Sequence, residues 1–382
     1  MRSILLGWEL GGGLGHVGTL VTLADALAAR GCDPVLALKD LHGAAPLLKD
    51  RRHRVIPAPR WQGPIPPGFR ASRFTDVLGV AGYGDPHGLP WLVHAWRTLI
   101  EETRAEAVVC DFAPTLHLAA SGRVPSITIG IGFAVPPTVG DDFPVIHGAV
   151  PTFDAVAILS NVRQTLAGSD AFVPDRLPAF LEGGPRFVHS LPELDPYRGL
   201  RRDEVVEPLH APTASGEELP SQDFFAYLAA EFPGAFDLLA RLAASGFRGR
   251  AYLRQAPARL IAGLRAAGVE VFDAPPPLNK VVREAAVVVH HGGLATAEAA
   301  VMGGRPQVVL PIHLEQFLTA RAIVELGIGR MLGGRKGLEA APDAVAELSR
   351  GTAPGLARDL AGDLQGRAYR GCLDRIVAAC IG

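Results

Sequence analysis

Four cysteines are spread over 382 residues, Cys32, Cys110, Cys372 and Cys380, and no two form a C-x-x-C pair. That spacing argues against a disulfide framework or a zinc ribbon and predicts reduced thiols, as in a cytoplasmic enzyme. Long apolar runs are missing as well. None reaches the length of a membrane span, and the few apolar residues between Arg2 and Trp8 are too short for a secretory leader core. The sequence therefore predicts a soluble chain with no integral membrane segment. Neither sign of charge dominates. A formal net charge of -2 gives no basic field to attract nucleic acid or an anionic membrane. Low-complexity tracts and short repeats are lacking too. What remains is 48% hydrophobic and 20% charged, the balance of a folded chain, and its length suits two domains with a core each.

The order of apolar runs predicts α/β architecture. "SILLGWEL" reads as a strand, "VGTLVTLADALAAR" as a helix closed by Gly31, and "DPVLALKD" as the next strand. Strand-helix-strand units of this length make parallel sheets with crossover helices. "AEAVVCDF" ends a buried strand at Asp111. From Arg60 to Trp96 the chain is rich in Pro, Gly and aromatics, including Trp61, Phe74 and Trp91, and reads as a long irregular binding loop. Residues 1–200 form the expected N-terminal domain and 201–220 a polar linker. A second strand-helix series, 221–360, forms the C-terminal domain, and 361–382 is a closing helical stretch. Ligands of such sheets sit at the carboxyl ends of strands.

The most specific stretch is "VVVHHGGLATAEAAVMGGRPQVVLPIHLEQ", Val287 to Gln316. A buried strand ends in His290 and His291. Gly292 and Gly293 let backbone approach a ligand, and Thr296 stands near a helix N-terminus, where free N–H groups suit a phosphate. Glu315 and Gln316 pair a carboxylate with an amide, a combination that reads sugar hydroxyls. In this stretch the chain resembles the nucleotide-sugar-dependent glycosyltransferases of the GT-B fold. That group includes plant secondary-metabolite, UDP-glucosyl/glucuronosyl and bacterial macrolide and antibiotic enzymes. The matching residues are Pro275, His291, Gly293, Thr296, Gly303, Pro306, Pro311, Glu315 and Gln316.

The resemblance implies two doubly wound Rossmann-like domains facing a central cleft, with the last helix, 361–382, packing back on the N-terminal domain. His291, Gly292, Gly293, Leu294, Ala295 and Thr296 would bind the donor diphosphate, and Glu315 and Gln316 the transferred sugar. The donor is a UDP- or dTDP-sugar and the acceptor a small-molecule hydroxyl; the reaction inverts the anomeric carbon and calls on no metal or further cofactor. Where plant members place a base-stacking tryptophan this chain has Asp273. The plant glutamine position is Pro276, and the ribose glutamate position is Ala299, with Glu298 one place early.

The same resemblance casts His16, in "GWELGGGLGHVG", as the general base and Asp111 as the carboxylate that orients it. A carboxylate on the far nitrogen of an imidazole fixes its tautomer and holds its cation. The other reading of Asp111 is a cap on the next helix. Gly13, Gly15, Trp61 and Phe74 are the candidate acceptor residues. Two other functions stay open at this point. One is a nucleotide-sugar-binding, non-catalytic partner protein. The other is an NAD(P)- or FAD-dependent oxidoreductase using the Gly13–Gly18 turn, with Asp40 on a ribose. Glu101 and Glu102 read as a solvated helix face, and His42, His87, His94, His117 and His147 show no metal spacing.

Overall fold

The computed structural model describes residues 1–146, 148–202, 204–210, 223–229, 232, 234–367, 369 and 371–382. His147 and, within the expected linker, residues 203 and 211–220 lie outside the described residues. The chain divides into two compact units. The first comprises Met1–Pro192, Tyr197–His210 and Gly371–Gly382, the second Glu193–Pro196 and Ala211–Arg370.

Seven strands build the first unit: β1 (Ser3–Trp8), β2 (Asp33–Leu38), β3 (Arg54–Pro57), β4 (Ala107–Asp111), β5 (Ser126–Gly130), β6 (Arg186–Val188) and β7 (Val205–Val206). They lie in the order β3-β2-β1-β4-β5-β6-β7. Every pair is parallel. β1 and β4 are buried at every position, because helices cover both faces of such a sheet. The first crossover helix, Leu14–Ala29, starts at Gly13 with φ 92° and is followed by Gly31 with φ 79°. Both conformations favour glycine. Its apolar stripe, including Val17, Leu20, Leu23 and Leu27, packs on Leu6, Val109 and Ile129 of the sheet. The C-terminal helix Leu373–Ile381 joins this same core through Ile376, Val377 and Cys380.

The second unit has β8 (Asp223–Ala229), β9 (Arg248–Arg254), β10 (Val269–Val271), β11 (Val287–His290), β12 (Gln307–Val309) and β13 (Gly329–Met331). Their order is β10-β9-β8-β11-β12-β13, again all parallel. Each sheet reverses direction beside its own first strand, between β1 and β4 and between β8 and β11. Open α/β sheets bind ligands at that switch point. This is the two-sheet α/β architecture of the GT-B fold.

Two expectations change. The segment Arg60–Trp96 is irregular only as far as Arg73. Phe74–Leu78 and Gly79–Tyr83 are helical turns, and Gly88–Glu102 is a helix with Leu89, Leu92, Val93, Trp96 and Ile100 on its buried face. Trp96 is a core residue, while Trp91 on the same helix is exposed. The closing stretch is two helices, Ala353–Gly366 and Leu373–Ile381. Among the described residues no helix is long and apolar enough to cross a membrane.

Candidate active site

At the switch point of the first unit, β1 leads through "ELGGG" into the helix that carries His16. β4 ends one strand away at Asp111, whose register partner is Trp8. The two side chains meet: His16 Nδ1 lies 3.0 Å from Asp111 Oδ1. Asp111 is fully buried and His16 is 9% exposed. A buried carboxylate on Nδ1 makes that nitrogen the donor and leaves Nε2 with a lone pair. The ring stacks on Trp8, with centroids 5.3 Å apart and planes at 18°. Nε2 faces Gly11: a Cβ built on that glycine would lie 3.0 Å from it and 2.9 Å from the Phe112 ring. Gly11 also has φ 73°. Any larger residue there would cover the nitrogen.

Asp111 does not cap the next helix. That helix, Pro114–Ala120, has no side-chain cap at Ala113. Glu9, from the exit of β1, serves it instead, accepting from Thr115 N at 3.0 Å and Thr115 Oγ1 at 2.6 Å. Burial pushes the Glu9 carboxyl up to about 7, against the lowering effect of the Thr115 hydrogen bonds and Lys39. Lys39 in turn reaches the Gly11 carbonyl. It also sits 5.9 Å above the Trp8 ring. Leu10 N donates to Phe112 O at 3.0 Å, tying the two strand exits together. Phe112, next to Asp111, holds φ 47°, a strained conformation for an aromatic residue. The sequence reading missed Trp8, Glu9 and Lys39. A charged residue inside an apolar strand exit was the available signal for Glu9.

Gly13 and Gly15 are exposed, and a Cβ on either would meet nothing within 4 Å. Trp61 is half-buried and lays its indole over Gly82 and Gly88. Phe74 is buried and packs on Phe112 and Phe143, with centroids 6.1 and 5.0 Å away. It also lines a cavity of about 10 Å³ behind β4, room for one water. The features of a dinucleotide turn are weak here. Gly18 approaches no neighbour within 4 Å, whereas the third glycine of that fingerprint exists for close helix–strand packing. Asp40 caps the helix Leu41–Leu48 by accepting from Gly43 N.

In the second unit β11 ends at His290, and the turn 291–293 enters the helix Leu294–Met302. His290 is an internal pin. Its Nε2 donates to Gln307 Oε1 at 2.8 Å and its Nδ1 accepts from Gly292 N at 3.0 Å. Burial lowers its pKa to about 4, so it is neutral. His291 is buried as well. Its Nε2 accepts from Ala229 N at 2.7 Å, across the switch point, and its Nδ1 is 3.4 Å from Leu310 O. In this structure its ring nitrogens thus face backbone groups. Gly292 has φ 94°, and a Cβ there would lie 2.7 Å from the Gln316 carbonyl oxygen. Packing against the helix Leu314–Glu325 therefore requires that glycine. Gly293 is the open one, with nothing within 4 Å. Leu294 and Ala295 follow it in the first turn, and Thr296 is buried there. Gln316 turns its Oε1 to Ile312 N at 2.9 Å, leaving its amide donors to the site. Glu315 stands beside it, half-buried. The turn 291–296 and the Glu315-Gln316 pair thus come together at one edge of this unit. Asp273 pairs with Arg265 at 2.8 Å. Ala299 packs on the core. Among the described residues no cluster of three His, Cys, Asp or Glu side chains could hold a metal ion.

Residues 266–354 match the family model described as Erythromycin biosynthesis protein CIII-like, C-terminal domain. Glycosyltransferase GtfC of Amycolatopsis orientalis is 39% identical over 57 residues, 15% of this chain and 14% of that protein. Solved structures match over nearly the whole chain. The calicheamicin glycosyltransferase CalG4 has a TM-score of 0.72 at 17% identity, over 99% of this chain and 98% of its own. SsfS6 of Streptomyces sp. SF2575, solved with thymidine diphosphate, has a TM-score of 0.58 at 20% identity, with both chains fully covered. The chain thus resembles antibiotic and macrolide glycosyltransferases, in sequence over its C-terminal part and in fold throughout.

Proposed function

We propose that the chain is an inverting glycosyltransferase that moves a sugar from a nucleoside diphosphate donor to a hydroxyl of a small-molecule acceptor. The observation that carries this reading is the buried His16–Asp111 pair, with Nε2 of the imidazole facing a glycine. In one displacement the acceptor oxygen bonds to the anomeric carbon as the bond to the diphosphate oxygen breaks. The hydroxyl proton goes to His16 Nε2, and Asp111 holds the imidazolium that forms. The diphosphate leaves toward Gly293, Leu294, Ala295 and Thr296, where helix N–H groups offset its charge. His291 joins it by turning its ring from Ala229 N. Glu315 and the Gln316 amide hold the sugar. Thymidine diphosphate, the nucleotide in the SsfS6 structure, is the first donor nucleotide to test, with UDP second.

The decisive measurement pairs transfer with binding. His16→Ala lowers sugar transfer by roughly 10²- to 10⁴-fold. It leaves calorimetric affinity for the nucleoside diphosphate unchanged, because His16 belongs to the other unit. Wild-type transfer in this variant would remove His16 as the base. If the nucleotide bound to neither protein, the donor reading would go as well.

A further inference from the structure

Asp111 has one oxygen on His16 and one to spare. Its Oδ2 is buried and makes no hydrogen bond among the described residues. A buried carboxylate oxygen without a donor is costly, and such atoms call for an explanation. A second orphan lies on the same side of the sheet, the Nε2 of His189. Strand register explains why the two share a face. Asp111 is opposite Ile129, and Ile129 is opposite Phe187. His189 follows Phe187 by two residues, and its N–H extends the ladder to Gly130 O at 2.9 Å. Side chains two apart on a strand point the same way. Trp8, Ile129 and Phe187 all pack toward the helix that carries His16. His189 therefore arrives at the carboxyl edge of the sheet on the side of the base pair.

We propose that His189 is a positioning residue for the His16–Asp111 pair, supplying through one bound water the donor that Asp111 Oδ2 lacks. With Oδ2 held, the carboxylate cannot rotate away, and Oδ1 stays aligned on His16 Nδ1. The role rests on His16 being the base. Charge distribution fits it. Burial lowers the His189 pKa; Asp111 raises it and His16 lowers it. A neutral imidazole with Nε2 protonated is what the carboxylate needs, and one proton is then shared among three groups. Next to His189 across the sheet, Glu207 is engaged with Arg375, 3.7 Å away on the C-terminal helix. Arg186 and Cys110 project from the opposite face, where Arg186 pairs with Glu204 at 2.8 Å.

The direction of the effect follows from the dipole. A donor on Oδ2 draws on the carboxylate's charge and weakens its hold on the His16 cation. Removing the donor strengthens that hold, so His16 titrates at a higher pH. The test uses the full chain with labelled histidines, the His16 resonance being assigned by its loss in His16→Ala. His189→Leu keeps the volume and has no donor; His189→Gln restores one. In His189→Leu the NMR titration midpoint of His16 rises by roughly half a pH unit or more. The acidic limb of the kcat/KM profile moves with it, and kcat/KM at neutral pH falls about tenfold. His189→Gln returns both toward wild type. An unchanged His16 midpoint in His189→Leu overturns the proposal. If that midpoint moves while His16→Ala still transfers sugar, His189 positions the pair and the base reading alone fails.

Discussion

Gly11 shows how one residue can set what a neighbour is able to do. The sequence offers a run of glycines before His16 without saying which one matters. The structure separates them: Gly11 touches His16 Nε2 and Phe112, whereas Gly12 and Gly13 face open space. Gly11→Ala should therefore cover the basic nitrogen and strain the backbone at φ 73°. The strain alone costs about 1–2 kcal/mol. We expect kcat/KM to fall on the order of 10²-fold, with nucleotide affinity intact. Gly12→Ala, with no neighbour and no left-handed φ, should stay near wild-type activity. Equal losses in both variants would show that loop flexibility governs the rate, not access to Nε2. The His16–Asp111 pairing was legible because each residue ends a buried apolar run beside the switch point. The capping role of Glu9 was not, since a cap supplied from another strand leaves no local spacing to read.

At the scale of elements, periodicity revealed the strands and helices where apolar residues recur without interruption, as in β8 and Leu14–Ala29. It failed between Phe74 and Gly88, where Gly79, Gly82, Gly84, Pro86 and Gly88 punctuate residues that are nonetheless helical or pack on helices. There tertiary contacts, including the Trp61 indole over Gly82 and Gly88, override local propensity. The strand–turn–helix at 287–302 was read as two equivalent glycines made for a ligand, and they are not equivalent. Gly292 is held by contact with Gln316, while Gly293 has φ -61° and nothing near it. Gly292→Ala should lower the stability of the second unit by about 1–2 kcal/mol or more, from φ strain and the clash. Gly293→Ala should leave its melting unchanged yet weaken nucleoside diphosphate binding, because the new methyl occupies the face of the turn. Thermal unfolding and calorimetry on the two variants distinguish a packing glycine from a ligand-facing one. Unweakened binding in a stable Gly293→Ala would move the phosphate away from this turn.

Across the whole molecule, buried titratable groups make stability depend on pH in opposite senses. His117 in the first unit and His290 in the second fold with pKa values lowered from 6.5 to about 4. Between those values the unfolded chain binds protons that the native state refuses, so both contributions are lost as pH falls. Glu9 is the reverse, raised from 4.5 to about 7. Its native state keeps a proton that the unfolded chain gives up, so its contribution is complete below pH 4.5 and gone above about 7. The rise corresponds to about 3 kcal/mol, an order-of-magnitude figure for a fully buried group. Glu9→Gln keeps an oxygen to accept from Thr115 and removes the titration. At pH 8 the amides of the first unit should then exchange more slowly than in wild type, by up to that free energy. At pH 4.5, where Glu9 is already neutral in the native protein, the gain should vanish. Amides of the second unit supply the internal control and should respond at neither pH, because Glu9 lies in the core of the first. Hydrogen exchange, corrected for intrinsic rates, reads both units in one sample. A first-unit gain of equal size at both pH values would mean that Glu9 acts by packing, with its carboxyl ionised in the fold.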